Sequence, residues 1–125
     1  MKTTKFELNI GVNAGYSHDN AQGGDVVAAK WQEVAEEVFG ETGVSVAGVV
    51  TPATTVYRKE WGCPEGGELT AVVSGLRNPE FLTDDLNWRA AVTLVATRVG
   101  KAFGQQTAYL TFSEVEFDYL KPLAV

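Results

Sequence analysis

Lys5-Phe6-Glu7-Leu8-Asn9-Ile10-Gly11-Val12 alternates polar and apolar residues without a break. Successive side chains of an extended chain point to opposite faces, so Phe6, Leu8, Ile10 and Val12 share one side. Lys5, Glu7, Asn9 and Gly11 share the other. The stretch reads as a strand with one face on a core and one face in a polar setting. Downstream the period changes: within 25–39, Val27, Trp31, Val34, Ala35, Val38 and Phe39 recur at helical spacing, with Lys30, Glu33, Glu36 and Glu37 opposite. Asp25 suits the N-cap of that helix and Gly40 a left-handed C-cap. Strand-like runs return at 44–61 and 68–76, a second helical pattern spans 84–103, and a final strand spans 107–120.

The details sharpen the order. Pro52 cannot donate to a ladder, which places the second strand at a sheet edge or at a bulge. Thr54 through Trp61 resumes strand character, Gly62-Cys63-Pro64-Glu65-Gly66-Gly67 turns the chain, and Leu69 to Val73 returns. Thr83, Asp84 or Asp85 caps the second helix, where negative charge also suits the helix dipole. Trp88, Ala91, Val92, Val95, Val99 and Ala102 form its apolar stripe, and Gly104 ends it. In the last strand, Leu110 and Phe112 are out of phase with Val115, Phe117 and Tyr119, which predicts a face-switching bulge near Ser113-Glu114.

The resulting order, βαββαβ over residues 1–125 as one domain, resembles the ferredoxin-like α+β superfamily. That resemblance implies a four-stranded antiparallel sheet with both helices on one face. The long second hairpin, Thr54 through Leu69, also resembles the extended connection of the PII and CutA-like trimers. Such folds host many chemistries, so function has to be argued from a site.

Composition narrows the choice. The chain has 125 residues, 45% hydrophobic content and a formal charge of −6. A chain of this length buries roughly two thirds of its unfolded surface without metal or disulfide help. No apolar run approaches the ~18 residues of a membrane span, and the N-terminus alternates instead of forming a signal region, so a cytoplasmic protein is expected. Negative charge and scattered basic residues (Arg58, Lys59, Arg89, Arg98) argue against nucleic acid as a partner. Cys63 and His18 are each the single residue of their type, which removes disulfides and cysteine- or histidine-rich metal sites. No cofactor or metal is expected.

Three groups of residues remain as candidates. The turn-rich loop 13–24 carries Tyr16, His18 and Asp19, and its Gly23-Gly24 pair precedes a helix start. It lacks the Lys and Ser/Thr of a phosphate loop, so helix capping is its simpler role. In a strand, Tyr57, Lys59 and Trp61 would share one face and Arg58 and Glu60 the other. Two aromatics with a cation suit a planar or anionic ligand, or the centre of an interface; the plain alternative is a core rim with Arg58 paired to a carboxylate. The polar sheet face (Lys5, Glu7, Asn9, Thr70, Ser74, Tyr109, Thr111) needs solvent, a ligand or a second subunit. Cys63 reads as a simple turn thiol.

These readings favour a non-enzymatic domain that acts as a homo-oligomer and binds a small polar or anionic molecule, or a protein partner. Tyr16, Tyr57 and Trp61 would enclose the ligand beside Asn9, while Arg58 and His18 would fix its anionic group. One alternative is a cofactor-free enzyme, like small ferredoxin-like isomerases and oxygenases, with a pocket between helices and sheet. There His18 or Asp19 would be the base and Tyr57 or Asn9 the donor to an oxyanion. A second is a phage-type accessory protein that inhibits or sequesters part of a host defence.

Overall fold

The computed structural model describes residues 1–15 and 19–123. Its elements run β1 (Lys2–Gly11), α1 (Val27–Thr42), β2 (Val49–Thr55), β3 (Glu68–Leu76), α2 (Asp85–Ala102) and β4 (Tyr109–Glu116). The strands form one antiparallel sheet in the order β2-β3-β1-β4, and the α+β architecture is consistent with a ferredoxin-like fold.

The register follows the alternation of β1. Phe6, Leu8 and Ile10 face Gly75, Val73 and Ala71 on one side, and Phe6 and Leu8 face Phe112 and Leu110 on the other. Both helices cover this face, burying Val27, Trp31, Val34 and Val38 of α1 and Trp88, Val92, Val95 and Val99 of α2. Phe6 sits at the junction: its ring stacks on Trp31 (5.7 Å between centroids) and meets Trp88 at 6.0 Å. Removing such a ring from a packed core costs about 3–5 kcal/mol. The Trp31 indole N–H is satisfied by the Val46 carbonyl at 3.2 Å.

Several local expectations are corrected. A single 3-10 turn, Gly24–Val26, precedes α1, whose N-cap is Val26 with no side-chain cap bond, so Asp25 does not cap. Gly24 instead packs so closely on the Thr70 backbone that no Cβ would fit. The helix runs through Gly40 and ends at Gly43, which takes the left-handed conformation (φ 75°). Phe39 is half exposed and Ala102 exposed; both lie off the buried stripes. Asp84 does cap α2, accepting from the Asn87 amide at 3.0 Å. Pro52 lies in β2, an edge strand, as its missing N–H requires.

β4 has no bulge, because it pairs residue for residue with β1 from Tyr109 to Glu116. The phase change arises because β4 outlasts the core: Glu114 and Glu116 fall on the core phase but are exposed, and they pair with Lys2 (3.2 Å) and the N-terminal ammonium (3.6 Å). β2 stops at Thr55, and a 3-10 turn at Lys59–Trp61 closed by left-handed Gly62 (φ 97°) replaces the expected strand. With that extended hairpin goes the carrier of the PII and CutA-like resemblance.

Candidate functional site

The sheet face away from the helices is polar. Glu7 faces Ser74 and Thr111, and Asn9 faces Val72 and Tyr109. Where β1 and β2 end, this face deepens into a cleft of about 470 Å³, a volume in the range of small-ligand sites. Its floor is hydrogen-bonded: Asn9 Nδ2 donates to Thr55 Oγ1 at 3.2 Å, and the Thr55 and Thr70 hydroxyls are 2.9 Å apart. Tyr57 and Trp61, from the β2–β3 connection, form one wall; residues 104–109, between α2 and β4, form the other.

Glu68 opens β3 at the edge of the floor, and the Tyr57 hydroxyl donates to its Oε1 at 2.9 Å. Gly11 makes room for this carboxylate. A Cβ there would lie 2.6 Å from Glu68 Oε2 and 2.5 Å from Gln105 Oε1. Gln105 itself is held by its Nε2, which donates to the Asn13 and Phe103 carbonyls at 2.9 and 3.2 Å.

The structure brings together Asn9, Tyr57 and Trp61 of the expected site. Arg58 is exposed and does not line the cleft; its guanidinium bonds Glu60 at 2.5 Å and lies over the Trp61 ring, 5.6 Å from the centroid. Tyr57 and Trp61 meet through a turn, not through a shared strand face. Asp19 is exposed and outside the lining, its carbonyl accepting from the Ala21 amide at 2.9 Å. Tyr16 and His18 lie outside the described residues. The cleft is also not between helices and sheet, where the isomerase-like alternative puts its pocket.

Among the described lining residues Glu68 is the one charged side chain, set among the rings of Tyr57, Trp61 and Tyr109. A carboxylate among aromatic faces suits a planar ligand carrying positive charge, since ring faces attract cations. Of the two residues expected to fix an anion, Arg58 is outside this lining and His18 is outside the described residues. Glu68, Gly11, Thr55 and Gln105 were missed from sequence. Glu68 shares the period-two phase of Thr70, so carrying the polar face two residues back along β3 would have found it.

A second depression, of about 620 Å³, lies between α1 and the residues leading into β2. It is an open groove over Trp31, Ala35 and Phe39, edged by Gln32, Glu36 and Ser45. No helix of the described residues is long and apolar enough to cross a membrane. Among those residues no cluster of three or more His, Cys, Asp or Glu could hold a metal ion. Cys63 is free and half-buried, its Sγ 3.4 Å from the Pro64 carbonyl oxygen.

A phage SAM lyase solved in complex with S-methyl-5'-thioadenosine shares the fold, with a TM-score of 0.59. The match covers 90% of this chain and 81% of that one, at 11% sequence identity. No curated protein matches the chain. The SAM lyase family model matches residues 1–121. That match overturns the expectation of a non-enzymatic binding domain: the chain belongs to the SAM lyase family, a family of enzymes.

Proposed function

We propose that this protein cleaves S-adenosylmethionine in the open-face cleft, releasing S-methyl-5'-thioadenosine. The observation that carries this reading is the lining itself, one carboxylate and three aromatic rings with no Lys or Arg among the described residues. S-adenosylmethionine is a planar nucleoside bearing a sulfonium and an ammonium. Tyr57, Trp61 and Tyr109 offer faces for the base and for the cation. Glu68 answers the positive charge, and the Tyr57 hydroxyl fixes the orientation of its carboxylate. The floor amide and hydroxyls of Asn9, Thr55 and Thr70 offer hydrogen bonds to the ribose.

The same chemistry favours turnover. Attack of the substrate's own carboxylate oxygen on the carbon bonded to sulfur closes a five-membered lactone as the S–C bond breaks. The bonding pair goes to sulfur, leaving a neutral thioether, and the ammonium departs on the lactone. The product therefore loses its attraction to Glu68 and leaves more readily than the substrate. Incubating the purified protein with S-adenosylmethionine and following S-methyl-5'-thioadenosine by chromatography tests the reading. Release that scales with enzyme concentration is expected; substrate that decays no faster than in buffer refutes it.

The open face supports a second element of this proposal, that the site lies at a boundary within a homo-oligomer. Trp61, Tyr109 and Val56 beside the cleft are 65%, 82% and 74% exposed, and exposed aromatics of this kind are typical interface anchors. Native mass spectrometry should give a defined oligomer; a fully active monomer would exclude a shared site. Consumption of the substrate would deprive host methyl-transfer reactions, which suits the phage-type accessory role.

A further inference from the structure

Glu68 follows two residues of unusual freedom. Gly66 and Gly67 both take positive φ, 81° and 110°, a region that favours glycine and leaves the chain poorly held by its own preferences. β1 ends at Gly11, opposite Thr70, so it supplies no strand partner to Glu68 and Leu69 at the start of β3. Asn20 fills that place. Its Nδ2 donates to the Gly67 carbonyl at 3.0 Å, and its Oδ1 accepts from the Leu69 amide at 3.0 Å. One side-chain amide thus bonds the backbone on both sides of Glu68, as the peptide group of a neighbouring strand would.

Asn20 is itself anchored. Asn13 and Gln22 close the neck of its loop: Asn13 Nδ2 donates to the Gln22 carbonyl at 2.9 Å, and Asn13 Oδ1 accepts from the Gln22 amide at 3.1 Å. Gln22 Nε2 also donates to the Val12 carbonyl at 2.6 Å. The chain of contacts therefore runs from the buried end of β1 to the backbone that carries Glu68.

We infer that Asn20 is a positioning residue of the proposed lyase site, acting through Glu68 without touching the substrate. The inference rests on the function proposed above. The Thr55 pairing holds the backbone of Glu68 on its β2 side alone. Without Asn20 on the other side, a carboxylate on a glycine-rich lead would sample several positions, and only one faces the cationic ligand under the Tyr57 hydroxyl. Misplacement by an ångström costs up to about a hundredfold in rate.

The test uses four proteins: wild type, Asn20→Ala, Glu68→Gln and the double variant. The ligand for binding is a stable analogue of S-adenosylmethionine in which nitrogen replaces sulfur. Asn20→Ala is expected to lower turnover about ten- to a hundredfold and weaken analogue binding, with melting temperature nearly unchanged because the freed backbone groups reach water. Hydrogen exchange at the Leu69 amide should accelerate. In the Glu68→Gln background the same change should weaken analogue binding no further. Equal losses in both backgrounds would overturn the inference, since Asn20 would then act independently of Glu68. An active wild type with an equally active Asn20→Ala variant would also overturn it, while leaving the function standing. A wild type that neither binds the analogue nor cleaves the substrate removes both.

Discussion

Asp85 and Glu68 are carboxylates set beside opposite ends of β1, and their surroundings differ in kind. Asp85, in the first turn of α2, lies between two guanidiniums: Arg77 Nε is 3.1 Å from one oxygen and Arg89 Nε is 2.8 Å from the other. Arg77 also donates to the Leu82 carbonyl at 2.6 Å, and Arg89 stacks over Phe112, 5.1 Å from the ring centroid. Glu68 is met by a phenol hydroxyl, and the described lining around it holds no Lys or Arg. One end of the sheet supplies countercharge from its own chain. At the other end, the proposed ligand brings positive charge to a lining whose described residues include no Lys or Arg. The difference teaches what the proposed role of Glu68 turns on: which cations the described residues set beside a carboxylate, not how deeply it is buried.

The most direct way to break the comparison is Glu68→Gln. The amide still accepts from Tyr57, so folding should hold, whereas release of S-methyl-5'-thioadenosine should fall ten- to a hundredfold, the worth of a charge-assisted contact. Retained activity would make Glu68 no different from any surface carboxylate. Asp85→Ala should do the opposite. It strands Arg77, whose side chain is only 13% exposed, beside Arg89, at a cost of about 2 kcal/mol, between the surface and buried cases. Calorimetry should show melting roughly 5–10 °C lower while turnover below that temperature is unchanged.

Acid sharpens the contrast. Burial by itself would raise the Asp85 carboxyl, but hydrogen bonds from Thr4 and Arg89 and the charges of Arg89 and Arg77 outweigh it and hold the pKa below the ordinary 3.8. A lowered carboxylate pKa contributes stability that is complete above the unfolded value and lost as pH falls through the folded one. The melting gap between wild type and Asp85→Ala should therefore narrow as pH drops below about 4. A gap that widened would mean the pair is not what stabilises this end. The smallest expected effect is that of Gly11→Ala. The three atoms nearest its Cβ belong to the side chains of Glu68 and Gln105, not to backbone, so melting should move little while activity falls about tenfold through a displaced carboxylate.

Legibility in the sequence followed the range of the interaction. The β1 alternation, the α2 stripe from Trp88 to Val99 and one of its three cap candidates, Asp84, are consequences of local geometry and are found where their residues put them, as is the edge alternative for Pro52. The Tyr57–Trp61 segment was misread because five residues of strand-like composition say little against a left-handed Gly62 that ends a turn. Phe39 was misplaced because it adjoins the α1 stripe in period but lines an open groove and stays half exposed.

Periodicity alone determined the order of elements, the two faces of β1 and the presence of a polar sheet surface, because side-chain direction is set residue by residue along the chain. Only the tertiary structure decided that the polar surface closes into a cleft. Glu68, Tyr57, Gly11 and Gln105 come from four separate segments and converge through strand register and a turn. The placement of Arg58 was decided there too: its guanidinium pairs with Glu60 two residues away and stays out of the described lining, in which Glu68 is the charged side chain.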